Sequence, residues 1–308
     1  IKEGKYDFDI KATVFGGEYY GMASSDNFNY FVQLGNAEIN ENNDVPDGIY
    51  YYFDIYAKYR GGDNPILPNG TYVFDKSGNC PVGCFDAGYS KAHFNDENGN
   101  PTTSFVISHG TVTVTDNRFE AEVTMTDGTV HHIVYEGELL VPSVVYSPEY
   151  GSKLTDNLSF EHNNAIVRMM YYGDYYETGN AHWSISLMEC QNPIDGDYFT
   201  IDLITDSLED TTDSVLGTYT AASDFELKEN CFIAGMIEGA KYLYSWYYVI
   251  IEDYVDQSQG APLADGTIVI EKDGNSYIVT LDCVDDNGHT IKGSFNCPNC
   301  EFYDRTQR

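Results

Sequence analysis

The stretch GTIVIEKDGNSYIVTLDCVDDNGHTIKGSF, residues 266–295, decides the fold class. Apolar and polar residues alternate along it, which is the pattern of a β-strand with one buried face. Two turn sequences, Asp273-Gly274-Asn275 and Asp286-Asn287-Gly288, interrupt the alternation. Asp-Gly and Asn-Gly between alternating runs are the strongest short-range signal of a β-hairpin. The stretch is therefore predicted to form a three-strand antiparallel meander.

The chain contains related blocks twice, in the same order and about 150 residues apart. The matching blocks are 17–20 with 173–176, 30–34 with 183–187, 50–55 with 198–203, 70–72 with 217–219, and 110–114 with 266–270. A second predicted meander, turning at Asp127-Gly128, ends the first copy. Each copy is long enough to bury a core of its own, so the repeat indicates two like domains and not a solenoid of short repeats.

We predict an all-β fold of two tandem, mutually similar antiparallel domains with about eight strands each. The domains are expected to cover residues 1–145 and 146–308, because Pro142 and Pro148 interrupt the strand pattern between Val141 and Tyr150. This number of short strands fits a β-sandwich or a flattened up-and-down barrel, and the sequence does not decide between them.

Composition supports a β-rich core and argues against two classes of partner. The 27 Tyr and 16 Phe residues fit a pleated sheet, and a hydrophobic content of 42% is enough for a folded chain. The net charge of −33 repels phosphate backbones and anionic headgroups, so we expect no nucleic-acid partner. No apolar run reaches the length of about 20 residues that a membrane-spanning helix needs. Glycans or other surface proteins are the partners that remain.

The cysteines and the acidic loops are candidate metal ligands. The odd number of cysteines leaves at least one free thiol; the seven are Cys80, Cys84, Cys190, Cys231, Cys283, Cys297 and Cys300. The two close pairs, 80/84 and 297/300, could form local disulfides or together supply four thiolates to zinc, and disulfides or free thiols are the simpler interpretation. The loops 42–47 and 206–213 concentrate oxygen ligands suited to Ca²⁺, but neither has the EF-hand spacing. No cofactor is predicted, with Ca²⁺ as a minor alternative.

Aromatic stripes supply the first candidate binding site. If residues 241–248 form one strand, alternation places four aromatic side chains on one face. These four are Tyr242, Tyr244, Trp246 and Tyr248. Flat aromatic faces suit sugar rings, whose C–H groups stack on them while the hydroxyls find polar partners. The alternative interpretation is cross-strand pairing that only stabilises the sheet.

A second stripe lies in the first half of the chain. Tyr50, Tyr52 and Tyr56 share one face of a predicted strand with Asp54. The opposite face, which carries Phe53, is expected to belong to the core. The Tyr50 face is therefore expected to look toward solvent or a cleft, and its tyrosines are the second choice as ligand-binding residues.

No catalytic constellation is apparent. The histidines show none of the spacings typical of metalloenzymes, and no nucleophile elbow or phosphate-binding loop occurs. With 49 acidic residues, neighbouring carboxylates carry no information about glycoside hydrolysis. We therefore expect a non-catalytic binding protein for carbohydrate or a related neutral ligand. The alternatives are a polysaccharide-degrading enzyme with acids from separate strands, and a structural or adhesive subunit with no soluble ligand.

The terminal stretch quoted above and the strand entry Gly217-Thr218-Tyr219 resemble those of exported, lipid-anchored β proteins from gut Bacteroidetes, many of which have no assigned function. The resemblance extends over both copies, but its motifs are structural and supply no site residues. It implies an extracellular or outer-membrane surface location and a role near polysaccharide uptake. The anchor is then expected in a segment absent from this chain, which begins at Ile1 and not at a methionine.

Overall fold

The computed structural model describes residues 5–23, 25–38, 45–60, 65–145, 148–191, 193–224 and 226–306. In this part of the chain strands dominate, and the helical content is one 3-10 helix, Thr212–Val215. The predicted all-β fold class is confirmed. The chain divides into two compact units, Ile1–Tyr146 and Ser147–Arg308.

The first unit holds one sheet. Its strands are β1 (Phe8–Lys11), β2 (Val14–Gly21), β3 (Phe28–Gly35), β4 (Ile49–Ala57), β5 (Gly70–Asp75), β6 (Cys84–Asp86), β7 (Lys91–Asn95), β8 (Pro101–Thr115), β9 (Arg118–Met125) and β10 (Val130–Glu136). Neighbours hydrogen-bond in the order β1-β10-β9-β8-β5-β6-β4-β3-β2, and β7 pairs with β4 and β8.

The second unit repeats this order with additional strands. Its strands are β11 (Leu158–His162), β12 (Ile166–Tyr171), β13 (His182–Gln191), β14 (Ile194–Ile204), β15 (Gly217–Ala222), β16 (Cys231–Ile233), β17 (Met236–Glu238), β18 (Lys241–Leu243), β19 (Trp246–Ile251), β20 (Tyr254–Pro262), β21 (Asp265–Asp273), β22 (Ser276–Val284), β23 (Thr290–Cys297) and β24 (Asn299–Asp304). The main order is β11-β23-β22-β21-β15-β16-β14-β13-β12-β24.

Nine positions of the two sheet orders correspond one to one, from β1 and β11 at one end to β2 and β12 at the other. The strand number exceeds the predicted eight or so because short strands such as β6 and β16 fill gaps between the longer ones. Not every pair is antiparallel: β1 with β10, β5 with β6, and their counterparts in the second unit run parallel. These parallel pairs were not expected from hairpin signals, which report only on strands that are consecutive in the chain.

The predicted meanders are confirmed in both units. Strands β8, β9 and β10 pair antiparallel in sequence order, and so do β21, β22 and β23. Gly128 and Gly288 occupy the hairpin turns with φ of 88° and 89°, where a side chain would be strained. The turn chemistry of the sequence therefore fixed these connections.

In each unit one segment provides the strands at both ends of the shared nine-strand order. In the first unit β1 pairs with β10, and β2, which follows directly, pairs with β3 at the other edge. Between them the amides of Ala12 and Thr13 donate to Val134 O and Gly35 O, both at 2.8 Å. In the second unit β11 and β12 join β23 and β13 in the same way.

Each sheet folds over a core made of its own inward-facing side chains. In the first unit the rings of Phe53 on β4 and Phe119 on β9 are 5.3 Å apart, although four pairings separate these strands in the sheet order. In the second unit Phe199 on β14 meets Phe295 on β23 at 5.5 Å. All four rings are buried. The facing layers are a feature of the predicted sandwich. The segment that pairs at both ends of the strand order is a feature of the predicted flattened barrel.

A buried tyrosine closes the same corner in both units. The hydroxyl of Tyr72 donates to Pro68 O at 2.8 Å, and that of Tyr219 donates to Val215 O at 2.9 Å. Both tyrosines follow the repeated Gly-Thr dipeptide, and both donate to the carbonyl four residues earlier in the chain. The repeated tripeptide is therefore explained by a hydrogen bond that tethers the strand entry.

Replacing either tyrosine with phenylalanine is expected to destabilise its unit by about 1 kcal/mol, because a buried carbonyl loses its donor. Urea unfolding of Tyr72→Phe and Tyr219→Phe measures the change. Tyr254→Phe is the control, since that side chain is 79% exposed and its loss of a hydroxyl should change the midpoint little. Unchanged midpoints for both buried variants would contradict the assignment.

A buried histidine distinguishes the first unit. His131 is fully buried; its Nδ1 lies 2.9 Å from the Tyr51 hydroxyl and its Nε2 lies 3.0 Å from the Thr129 hydroxyl. Aromatic rings, including that of Phe8 at 4.4 Å, surround it. Burial disfavours the imidazolium and lowers the pKa of His131 to about 4. At the matching place of the second unit stands the apolar Ile291.

Acid should therefore weaken the first unit through His131. The unfolded chain takes up a proton near pH 6.5 and the folded one only near pH 4, so the contribution is full above pH 6.5 and lost as pH falls toward 4. The loss is at most about 3 kcal/mol. Urea unfolding of the parent and of His131→Leu between these pH values measures it. The variant loses the Tyr51 contact at every pH, so the diagnostic result is a shallower pH slope; parallel slopes would contradict this role.

Candidate functional site

A cleft in the second unit brings together three of the predicted aromatic residues. It encloses about 290 Å³. The lining residues are Gly151, Lys153, Tyr242, Trp246, Tyr248, Val255, Gln259 and Gly260. They come from β18, β19, β20 and the segment that precedes β11. The cleft therefore combines flat rings with a cationic and an amide side chain.

The three rings form one cluster. Tyr242 meets Trp246 edge to face, with centroids 4.8 Å apart and planes at 89°. Trp246 and Tyr248 are nearly parallel at 18°, with centroids 6.0 Å apart. The indole Nε1 donates to Leu243 O at 2.7 Å, which fixes the ring. Tyr242 is 48% exposed and Trp246 only 1%, so Tyr242 offers accessible ring surface while Trp246 supports it from below.

The prediction of one strand through residues 241–248 is wrong. Strand β18 ends at Leu243 and β19 begins at Trp246, because Tyr244 adopts a left-handed φ of 68°. Its hydroxyl donates to Asp224 Oδ2 at 3.1 Å, and Tyr244 does not line the cleft. The backbone reversal thus turns Tyr244 away from the cleft. It brings Tyr242, Trp246 and Tyr248 together.

The second-choice tyrosines lie on the face of β4 opposite Phe53, and that face is covered. Tyr50 and Tyr52 are 0% and 6% exposed. The Tyr50 hydroxyl donates to Glu38 O at 2.9 Å, and the Tyr52 ring stacks on His93 with centroids 5.3 Å apart. Of the three, Tyr56 reaches a cleft, and its side chain is also largely buried.

That cleft is the second one and belongs to the first unit. It encloses about 340 Å³. The lining residues are Tyr20, Ala23, Asn29, Phe31, Asp54, Tyr56 and Tyr89. The Asp54 carboxylate lies in it, accepting a hydrogen bond from Asn29 Nδ2 at 2.7 Å and from the Tyr56 hydroxyl at 3.1 Å. Burial raises the pKa of the Asp54 carboxyl above its usual value.

Asp54 has a counterpart in the second unit with a different neighbour. The Asp54 amide donates to the buried Ser90 hydroxyl at 3.0 Å, and the Asp202 amide donates to that of Ser245 at 3.1 Å. In the second unit, however, His182 stands where the first unit has an asparagine, with Nε2 3.5 Å from Asp202 Oδ1. The backbone anchor is therefore shared, while the side chain beside the carboxylate differs.

Alternation along β4 places Asp54 on the Tyr56 face, but no local pattern distinguishes it from the other acidic residues. The chain has 49 acidic residues, and burial is what distinguishes this one. The serine that anchors its backbone lies 36 residues away, beyond the reach of any local pattern.

One group of side chains in the described part of the chain has metal-ligand geometry. One atom each of His162, Glu189 and Asp197 lies within 4.8 Å of the others. His162 Nε2 is already 2.9 Å from Asp197 Oδ2, and the Tyr247 hydroxyl donates to the other oxygen of Asp197 at 2.9 Å. These hydrogen bonds account for the cluster, and we assign no metal to it.

The other candidate metal ligands remain dispersed. All seven cysteines are free thiols, so neither close pair forms a disulfide. Residues 42–44 of the first acidic loop lie outside the described residues. In the second acidic loop Asp213 pairs with Lys272 Nζ at 2.6 Å and accepts a hydrogen bond from Tyr277, which explains its position without an ion.

Comparison with protein-family models, curated proteins and solved structures gives no match for this chain. Among the described residues, no helix is both long and apolar enough to cross a membrane. The two clefts are therefore the candidate functional sites.

Replacing the buried Trp246 should destabilise the fold strongly, so this variant is not a clean test of binding. Trp246→Ala is expected to cost about 3–5 kcal/mol, because it leaves a cavity beneath Tyr242 and Tyr248. Tyr242→Ala should cost less than about 1 kcal/mol, because that ring is half exposed. Thermal unfolding of both variants compares them. Equal losses would show that Tyr242 is also a structural residue, and binding tests would then need another position.

Proposed function

We propose that this protein binds carbohydrate non-catalytically in the cleft of the second unit. The observation that carries the proposal is the cluster of Tyr242, Trp246 and Tyr248 along one cleft of about 290 Å³. That volume is near the lower end of the range for small-molecule pockets, which suits a single sugar unit of a longer chain.

The chemistry of the lining favours a neutral, hydroxylated ligand. The exposed face of Tyr242 can stack on the C–H face of a pyranose ring. Lys153 and Gln259 line the same cleft and provide polar groups for the hydroxyls. A net charge of −33 acts against polyanionic ligands over the whole molecule.

The lining also favours binding over hydrolysis. Glycosidases commonly place two carboxyl groups on either side of the scissile bond. Among the described residues that line this cleft, none is Asp or Glu. A polysaccharide-degrading enzyme and a structural or adhesive subunit are the competing functions, and the experiment below separates them.

The proposal includes a location and an origin. A protein that binds glycans through an open cleft would act outside the cell or at the outer-membrane surface, held by a lipid anchor and near polysaccharide uptake, as the resemblance to exported Bacteroidetes proteins implies. The two units would be copies of one domain. The matching strand orders and the paired tyrosine tethers support this origin.

A glycan array followed by calorimetry tests the binding. We expect weak affinity, with Kd on the order of 0.1–1 mM, because an open aromatic cleft offers stacking and few hydrogen bonds. Tyr242→Ala should weaken binding at least tenfold. Tyr254→Ala is the matched control, since this tyrosine belongs to the same unit, is 79% exposed and does not line the cleft.

Three outcomes would contradict the proposal. Release of reducing ends from a glycan panel would indicate an enzyme. Retention of no glycan by the folded protein would favour a structural subunit. Binding that Tyr242→Ala leaves unchanged would place the carbohydrate site elsewhere.

A further inference from the structure

The cleft of the first unit contains a buried carboxylate whose hydrogen-bond partners are neutral. Asp54 is 5% exposed, and its two oxygens accept hydrogen bonds from an amide and a phenol, those of Asn29 and Tyr56. Within the described part of the chain, no ion pair to Asp54 is found. The charged group that acts on it is Asp86, another buried carboxylate, and the like charge opposes ionisation. The surrounding side chains therefore supply no positive charge to this buried carboxyl group.

Aromatic rings form the walls around this charge. Tyr20, Phe31, Tyr56 and Tyr89 line the same cleft. Tyr89 is 68% exposed and stands at the rim, while Tyr56 is buried beside the carboxylate. The pKa of the Tyr20 phenol is raised to about 12, first by its hydrogen bond to Glu18 and next by burial, with the Asp54 charge as the smallest cause. The rings and the carboxylate thus line one cleft.

We propose that this cleft binds an organic cation, a quaternary ammonium group, with the Asp54 carboxylate as its counter-ion and the aromatic rings as its walls. A ring face is negative because of its quadrupole, and such faces bind ammonium groups more strongly when water is excluded. A buried carboxylate gains most from a ligand that brings the missing charge. The two effects act on the same ligand here, and the acidic surface of the chain raises the local concentration of cations.

A metal ion fits this cleft less well. Ca²⁺ takes six to eight oxygen ligands, and the described lining offers one carboxylate in a largely aromatic wall. A quaternary ammonium needs no directed ligands and covers its charge with methyl groups that pack against rings. The lining therefore selects an organic cation over an inorganic one.

The second unit provides an internal comparison. There His182 lies beside the corresponding Asp202, and Ile204 occupies the position equivalent to Tyr56. The unit thus has a different side chain beside its carboxylate and lacks one aromatic wall of the Asp54 site. We expect the cation site in the first unit only, independent of the carbohydrate cleft.

Titration of the full chain with choline, followed by calorimetry, tests the proposal. Its neutral carbon isostere, 3,3-dimethylbutan-1-ol, has the same shape without the charge. In a buffer of about pH 8, which favours the ionised carboxylate, choline should bind at least tenfold more tightly than the isostere. Asp54→Asn should abolish this preference, whereas Asp202→Asn and Tyr242→Ala should preserve it.

Tyr89→Ala keeps the test decisive if Asp54→Asn proves unstable. This ring is largely exposed, so its removal should leave the fold intact and weaken choline binding several-fold. Equal affinity for choline and its isostere would overturn the proposal. So would the absence of choline binding by the folded protein, or a charge preference that survives in Asp54→Asn.

Discussion

The hydrogen-bonding requirement at the two ends of the shared nine-strand order governs the architecture of each unit. A single segment near the start of the unit pairs with β10 on one side and β3 on the other, and the sheet must curl to allow this. Curling places alternate side chains of every strand inside, where Phe53 meets Phe119. It also leaves an outer face on which the remaining side chains of the central strands lie. Both clefts are built from that outer face.

The outer face shows how a shared scaffold can carry different chemistry. The bonds from Asp54 to Ser90 and from Asp202 to Ser245 hold two equivalent backbone positions. Around these fixed points the side chains diverge: asparagine and tyrosine surround one carboxylate, and histidine lies beside the other. The segments leading to β7 and β19, which supply the serines, also contribute the rim residues Tyr89 and Tyr242. Divergence is therefore concentrated where ligands can reach.

The sequence was most informative where a structural signal is local. Asp-Gly and Asn-Gly turns fixed both meanders, and the repeated Gly-Thr-Tyr tripeptides marked matching strand entries. The sequence was least informative where a single backbone angle or a contact with a distant residue determines the position of a side chain. The left-handed φ of Tyr244 removed one member of the aromatic stripe, and no propensity predicts such an angle in a tyrosine. Burial of Asp54 depends on contacts between residues far apart in the chain, so its special environment could not be read from composition.

The interior position of β4 in the sheet affects the tendency of the unfolded chain to aggregate. Its sequence, IYYYFDIYA, is rich in β-forming residues and contains one charge, which is the composition of segments that assemble into amyloid. In the native unit it is flanked by β3 on one side and by β6 and β7 on the other, and both of its faces are buried. Folding thus buries a segment whose composition favours self-association, and the strong negative charge of the chain opposes contact between incompletely folded molecules.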